Sequence, residues 1–363
     1  MRIFSSMTLA ANLNSKMRNT RCSNSASLRI FALPVVLLLV LSGCNSGPEI
    51  VTLAGNKFGT TYRITIVADQ PVPENLAAMI DAQLDAIDQS MSTYKSASQI
   101  SQFNRLKVGM KVSISEEFFE VLQVATSVWK ASGGALDPSV GPLVNLWGFG
   151  SESFTDIVPS QAAIASAKAQ LAFDTLVVER DVNDVSLLKT MPLQLDMSAV
   201  AKGYAVDAIA NILEMNALPD YLVEIGGETR VSGYNPSGQP WKLAIETPML
   251  NSEVEQILSL VSGAVATSGD YRNYFERDGE RYSHIIDPRT GYPINHKLAS
   301  VTVVADNCAL ADAWATAFMI LGDQRSLELA NQLQIPVFML IREDDTFKRR
   351  YSDTFEPYLG IPQ

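Results

Sequence analysis

The start of the chain decides what the remainder has to fold without. Up to Arg29 it carries Arg2, Lys16, Arg18, Arg21 and Arg29 and no acid; an apolar run (IFALPVVLLLVL, residues 30–41) follows, then Leu41-Ser42-Gly43-Cys44. A basic stretch, a short apolar segment and small residues before a cleavage point describe a secretory signal, which is set aside before fold reasoning. The apolar run is shorter than the roughly 20 residues that cross a bilayer comfortably. A cysteine directly after Leu-Ser-Gly is the lipoprotein form of the cleavage site. Residues 1–43 are therefore expected to leave, Cys44 to carry a lipid, and residues 44–363 to form the body. A membrane-anchor helix beside an incidental cysteine is the plainer alternative, and so short a run suits it poorly. The basic stretch is long enough that translation from Met7 or Met17 also fits.

Three cysteines are present. Cys22 leaves with the signal, Cys44 takes the lipid, and Cys308 remains. One thiol cannot make an internal disulfide, so the body must hold itself together by its own core. Its length suits one large domain or two small ones. Loss of the signal removes five basic residues and no acid, taking the formal charge from −11 to −16. Such an acidic body argues against nucleic acid as a partner, because phosphate backbones need a basic surface. Any phosphate must be met locally, by a metal, a lysine or backbone amides.

Residues 45–49 read as a short tether. Residues 57–67 have strand character, with Tyr62, Ile64 and Ile66 on one face. Residues 74–91 read as a helix, because Leu76, Ile80, Leu84, Ile87 and Met91 recur at helical spacing. A second helix is expected over Glu116–Ala131, burying Phe119, Leu122 and Trp129. Residues 133–150 are dense in Gly and Pro and too irregular for either regular element. Further helices are expected over residues 160–171, Ser198–Met215 and 309–321. Strands are expected at 175–178, Val185–Leu188, 193–195, 221–225, 241–245, 257–266 and 300–304. The two kinds of element interleave without regular alternation, which points to an α+β fold of one large domain.

Five segments carry residues unusual for plain scaffolding. In the first, Gly134-Ala-Leu-Asp137 through Gly150, glycines allow backbone amides to approach a ligand and Trp147 and Phe149 offer flat faces; composition alone favours a buried loop whose aromatics fill core. In the second, Asp196-Met-Ser-Ala199-Val-Ala-Lys202-Gly203-Tyr204-Ala-Val-Asp207, a helix N-terminus attracts anions and Lys202 adds a mobile charge. The alternative makes Asp196 or Ser198 an N-cap and Lys202 a solvated lysine. The third, Glu224-Ile-Gly226-Gly227-Glu228, suits a tight turn or a phosphate approach, the turn being commoner; the dinucleotide motif Gly-x-Gly-x-x-Gly is absent. The fourth joins Ser268-Gly-Asp-Tyr-Arg272-Asn273-Tyr274 to His284-Ile-Ile286-Asp287-Pro-Arg-Thr-Gly291. A histidine near neutral pKa can take a proton from a hydroxyl, or it is simply half-buried structure. In the fifth, Asp312 and Thr316 stand four apart on one helical face. Hard oxygens of this kind suit Mg²⁺, unless Asp312 is solvated and Thr316 bonds its own backbone. No Cys/His cluster with zinc spacing exists.

Together these segments resemble the ApbE family, bacterial FAD:protein FMN transferases, over nearly the whole body from Lys57-Phe58 to Leu321-Gly322. The resemblance rests on seven blocks in order: Ser92-Thr-Tyr94, Gly134-Ala-Leu-Asp137, Asp196 through Tyr204, Ile225-Gly-Gly, Thr267 through Arg272, His284 through Gly291, and Ala311-Asp-Ala-Trp-Ala-Thr316. It implies FAD contacts from Phe58, Tyr94, Ala135, Leu136, Asp137, Asp196, Lys202 and Ile286, and Mg²⁺ held by Asp312, Thr316 and an oxygen of Ala199. Some relatives carry a hydroxyl residue where Ala199 stands, and alanine can supply only its carbonyl. Some also carry a further acid where Ala315 stands.

The implied reaction is attack of an acceptor threonine or serine hydroxyl on the FMN-side phosphorus of FAD, with AMP leaving. Positioning and electrostatics dominate such a step, and His284 is the expected base. Attack by water, giving an FAD pyrophosphatase, uses the same site. A flavin-binding lipoprotein without catalysis would need no base. By the same resemblance the acceptors are exported subunits of the sodium-pumping NADH:quinone reductase or related electron-transfer complexes. Family precedent puts the lipid anchor on the periplasmic side of the inner membrane. Asn45, in place of a retaining aspartate, leans toward the outer membrane.

Overall fold

Side chains alternate between the two faces of a strand, and here both faces of one large sheet are apolar. The computed structural model describes residues 47–359 apart from 152–156, 183, 250–252, 272 and 345. Cys44 and the 30–41 run lie outside the described residues. The sheet has eight strands: Glu49–Lys57, Thr60–Ala68, Asp220–Ile225, Glu228–Ser232, Ser262–Gly269, Leu298–Ala305, Val337–Glu343 and Thr346–Tyr351. Chain order is also spatial order, and each neighbouring pair is antiparallel.

The helices are α1 (Leu76–Met91), α2 (Gln99–Arg105), α3 (Glu116–Ala131), α4 (Gly141–Leu146), α5 (Gln161–Lys168), α6 (Ser198–Met215), α7 (Cys308–Leu321) and α8 (Asp323–Leu333). On one face of the sheet, Ile64, Ile66, Val223, Ala264, Ala266, Val301 and Val303 share a core with α1, α3, α6 and α7. The other face, with Val67, Val231, Val265, Val304, Phe338 and Leu340, is covered by the hairpin Trp241–Glu246/Val254–Leu260 and by Phe355. This is an α+β fold, and the described body belongs to one compact unit, Ser46–Gln363. Among the described residues no helix is long and apolar enough to cross a membrane.

The helix that matters most for the site is α7. It is apolar on nearly every side, as expected of a helix buried all round, with Ala311, Ala313, Ala315 and Ala317 keeping it slim. Asn307 caps it by accepting from Leu310 N at 2.9 Å. The Asp207 carboxylate, reaching across from α6, accepts from Cys308 N at 2.9 Å and Ala309 N at 2.8 Å. A carboxylate at a helix N-terminus satisfies orphan amides and complements the helix dipole. Gly203 lets α6 and α7 meet: a Cβ there would stand 2.3 Å from the Cys308 carbonyl oxygen.

Several sequence expectations are corrected. Residues 57–67 are not one strand, because Phe58 (φ 53°) and Gly59 (φ 74°) form a two-residue hairpin turn. Residues 193–195 join no strand ladder. Within 133–150 the chain finds room for α4, started by Pro142 in its first turn. Residues 257–266 break at Val261 into the covering hairpin's second strand and a strand of the large sheet, since an apolar run does not show which face of which sheet it serves. Residues 175–178 divide between a 3₁₀ turn at Phe173–Thr175 and a strand at Val177–Arg180. On α3 the buried stripe is Phe118, Val121, Leu122, Ala125 and Val128, with Phe119 and Trp129 at its margin.

Candidate functional site

A cavity of about 380 Å³ opens between the N-terminal turn of α6, the middle of α7, the end of the Ser262–Gly269 strand and two loops. Of the residues singled out from sequence, Ala135, Leu136, Asp137, Asp196, Ala199, Lys202, His284, Ile286, Asp312 and Thr316 all line it. Phe58 and Tyr94 do not. Tyr94 is exposed and lines an adjoining polar pocket that shares Asp196 with the main cavity. Phe58 borders a separate surface depression beside Asp88. Trp147 and Phe149 are buried with Leu143, Ile164 and Phe275, so they fill core.

Two loops are held by the same device. The Asp137 Oδ1 accepts from the Ser139 amide at 2.8 Å and its hydroxyl at 2.6 Å. Asp196 Oδ1 does the same with Ser198, at 2.8 and 2.5 Å. Asp196 N donates to Pro138 O at 2.8 Å, stitching the loops together. Met197 is the α6 N-cap residue by backbone, so Asp196 serves the turn before the helix. Burial raises the carboxyl pKa of Asp137, and the Ser139 bonds oppose this.

The charged centre is a triad that joins three elements. Lys202 Nζ lies 2.9 Å from Glu228 Oε1 and 3.4 Å from Asp312 Oδ2. Glu228 follows the Gly226-Gly227 hairpin turn, whose two residues both have positive φ. Asp312 is 3% exposed. Burial pushes its carboxyl up to about 7, with Lys202 pulling the other way and Glu228 adding to the rise. Lys202 is held well above the ordinary lysine value, because Asp312 and Glu228 outweigh its own burial. Neither is the solvated residue that a plain helix surface would carry.

The same carboxylate draws on the α6 backbone: Gly203 N donates to Asp312 Oδ2 at 3.1 Å. In a regular helix that N–H serves the carbonyl four residues earlier, Ala199. Ala199 is itself one of the residues that line the cavity. Thr316 pairs its hydroxyl with that of Ser268 across to the sheet at 3.1 Å. Among the described residues no three His, Cys, Asp or Glu side chains gather as a metal cage. The donors here are hard oxygens, and one of them, Glu228 Oε2, is buried without a hydrogen-bond partner among the described residues. That donor set fits Mg²⁺.

His284 sits at the base of a small hairpin, Tyr274–Arg277/Glu280–Ser283. Its backbone N–H and its Nδ1 both reach Asn273 O, at 3.1 and 2.9 Å. A carbonyl only accepts, so Nδ1 carries the hydrogen and Nε2 is the ring's free acceptor. Burial lowers the imidazole pKa, the Asn273 bond opposes this, and Lys202 adds to the lowering. The edge of the Phe149 ring packs against it, centroids 6.3 Å apart. Asp287 has no such freedom: it is buried, and both its oxygens are taken by Arg289, at 2.9 and 2.8 Å.

Glu228, Ser268 and Asn273 all stand in segments the sequence singled out, yet none was given a role; Asp207 was likewise passed over. Glu228's only sequence signal is an acid directly after a glycine pair.

A sequence profile of the ApbE family matches residues 58–339. The chain is 41% identical over 337 residues to an FAD:protein FMN transferase of Vibrio cholerae, covering 92% of this chain and 100% of that one. It is 39% identical over 329 residues to an FAD:protein FMN transferase of Haemophilus influenzae, covering 89% and 95%. Its fold matches the flavin transferase ApbE from Vibrio cholerae with a TM-score of 0.79 at 40% identity, over 86% of this chain and 100% of that one. It also matches the apo form of Pseudomonas stutzeri flavinyl transferase ApbE, TM-score 0.80 at 37% identity, over 87% and 98%. Profile, sequence and fold agree along the length of the body: this chain belongs to the ApbE family.

Proposed function

We propose that the protein is an FAD:protein FMN transferase, moving FMN from FAD to a threonine or serine hydroxyl of an exported protein and releasing AMP. The observation that carries this reading is His284, whose Nδ1–H donates to Asn273 O so that Nε2 is left as the acceptor, and which lines the same cavity as Lys202 and the start of α6. Nε2 accepts the proton of the acceptor hydroxyl as its oxygen bonds to the FMN-side phosphorus. The bond from that phosphorus to the bridging oxygen breaks, and the pair leaves with AMP. Lys202 and the amides at the start of α6 meet the pyrophosphate's charge. Asp137 and Asp196, fixed by their serine turns, and Ile286 orient the nucleotide. Tyr94, in the adjoining pocket, takes the part of the dinucleotide that extends past Asp196.

Asp312, Thr316 and the Ala199 carbonyl are the proposed holders of Mg²⁺. The ion's part, when bound, is to offset phosphate charge and polarise the phosphoryl oxygens. Cys44 carries the lipid that anchors the body on the periplasmic side of the inner membrane. The acceptors are redox subunits exported to that side, of the sodium-pumping NADH:quinone reductase kind. The test is to incubate the protein with FAD, Mg²⁺ and a soluble acceptor domain and to weigh the acceptor. A gain of one FMN phosphoryl unit with equimolar AMP is expected. Free FMN and AMP with an acceptor of unchanged mass would mean that water is the nucleophile.

A further inference from the structure

We propose that Glu228 and Asp312 form a two-carboxylate cation seat, which the Lys202 ammonium fills in the metal-free protein and vacates when a divalent cation enters. The inference rests on the metal reading above and adds to it a residue and an exchange. Its starting point is Glu228. The residue is 5% exposed and lines the cavity. Its Oε1 accepts from Lys202 at 2.9 Å, while Oε2 is buried with no hydrogen-bond partner among the described residues. A buried acceptor without a donor is uncommon in a folded protein and calls for a specific occupant.

The charges say what that occupant is. Two carboxylates, from Glu228 and Asp312, face one ammonium. With both carboxylates ionised the centre is one positive charge short, and a buried charge needs a partner. A divalent cation in place of the ammonium would balance both carboxylates and take oxygens as ligands. The three groups differ in how freely they can move. Asp312 is anchored, since its Oδ2 also accepts from Gly203 N at 3.1 Å. Glu228 is fixed by a hairpin turn and its place in the large sheet. Lys202 alone is partly exposed, on a flexible four-carbon stem. It can turn from the carboxylates to an anion in the same cavity. Lys202 is thus an internal competitor of the metal until a pyrophosphate draws it away.

Binding of Mn²⁺ as probe, followed by the electron paramagnetic resonance of the free ion, tests the exchange without turnover. In FAD-free protein, Lys202→Met should bind Mn²⁺ about tenfold or more tighter than wild type, the size by which a neighbouring charge ordinarily changes a site's proton affinity. Glu228→Gln should bind it weaker by a similar factor. Lys202→Arg, which keeps the charge, should stay near wild type, and FAD should narrow the gap between wild type and Lys202→Met. Lys202→Met binding no tighter than wild type, in protein that melts cooperatively, overturns the exchange. Wild-type affinity in Glu228→Gln removes Glu228 from the seat. If Asp312→Ala binds Mn²⁺ as well as wild type does, the metal site itself is misplaced and the exchange falls with it.

Discussion

His284 is useful only while it is neutral, and its surroundings keep it so. Burial and Lys202 hold its pKa below the ordinary imidazole value, so transfer should be flat above about pH 6.5 and fall below that value. A general base ordinarily contributes about 10²–10⁴-fold in rate. His284→Ala should lose that much FMN transfer with FAD affinity nearly unchanged, and higher pH should restore part of the loss. If FAD binding fails instead while turnover at saturating FAD survives, the imidazole is a ligand contact. Asp287 is a poor substitute, because Arg289 occupies both its oxygens. Asp312 gives a second test at this scale. Its folded-state pKa, about 7, lies above the unfolded value of 3.8. Between roughly pH 4 and 7 the native state therefore holds a proton that the unfolded chain has released. Stability from this group is present at low pH and lost as pH rises through that window, by at most about 1.4 kcal/mol per unit. The amide of an asparagine in its place would not titrate. In metal-free protein the margin in Tm of Asp312→Asn over wild type should grow between pH 5 and 8, and a margin that stays constant would refute the shifted pKa.

Helices α6 and α7 must sit almost backbone to backbone for Lys202 and Asp312 to meet. Gly203 permits this, and a methyl group there would lie 2.3 Å from Cys308 O and 2.8 Å from Ala309 Cα. Backbone cannot swing aside as a flexible side chain would. Gly203→Ala should cost about 1–3 kcal/mol by overpacking, lower Tm by roughly 2–4 °C per kcal/mol, and reduce transfer by displacing α7. An unchanged Tm would show that the helices have slack. This junction also marks where the sequence stops being legible. Periodicity revealed α1, α3, α6 and α7 because each carries several turns of pattern. The turn at Phe58-Gly59 was hidden because a positive φ at phenylalanine is rare, and the C-terminal hairpin Val337–Glu343/Thr346–Tyr351 was not read at all. Ten of the twelve residues that the resemblance implied, all but Phe58 and Tyr94, line the cavity, because the family's blocks carry them. Asp207 and Glu228 were not, because their roles exist only across folded distance: Asp207 caps a helix 101 residues away, and Glu228 meets a lysine 26 residues back. The His284 tautomer likewise depends on a carbonyl 11 residues earlier.

For the molecule as a whole, the proposed anchor and the acidic charge act together. A body of formal charge −16 after loss of the signal has no net electrostatic attraction to an anionic bilayer surface, so the proposed lipid, and not surface charge, would hold it there. From Cys44 to the first strand at Glu49 the chain can extend by at most about 3.6 Å per residue. A lipid on Cys44 would therefore hold the start of the first strand near the membrane, on the side where the proposed acceptors are exposed. One acyl chain binds only marginally and stable anchoring takes more than one, so a lipidated Cys44 should carry several. Cys44→Ser should move the protein from the membrane fraction to the soluble periplasm. Its transfer to a soluble acceptor domain should be largely intact, because the residues that line the cavity start more than 80 positions later, at Ala125. Transfer to a membrane-bound acceptor in cells should fall, because the local concentration supplied by the tether is gone. A variant that stays on the membrane would place the anchor elsewhere, and the 30–41 run would then be the segment to delete. A folded, soluble variant inactive even on the soluble acceptor would make the tether part of the catalytic apparatus.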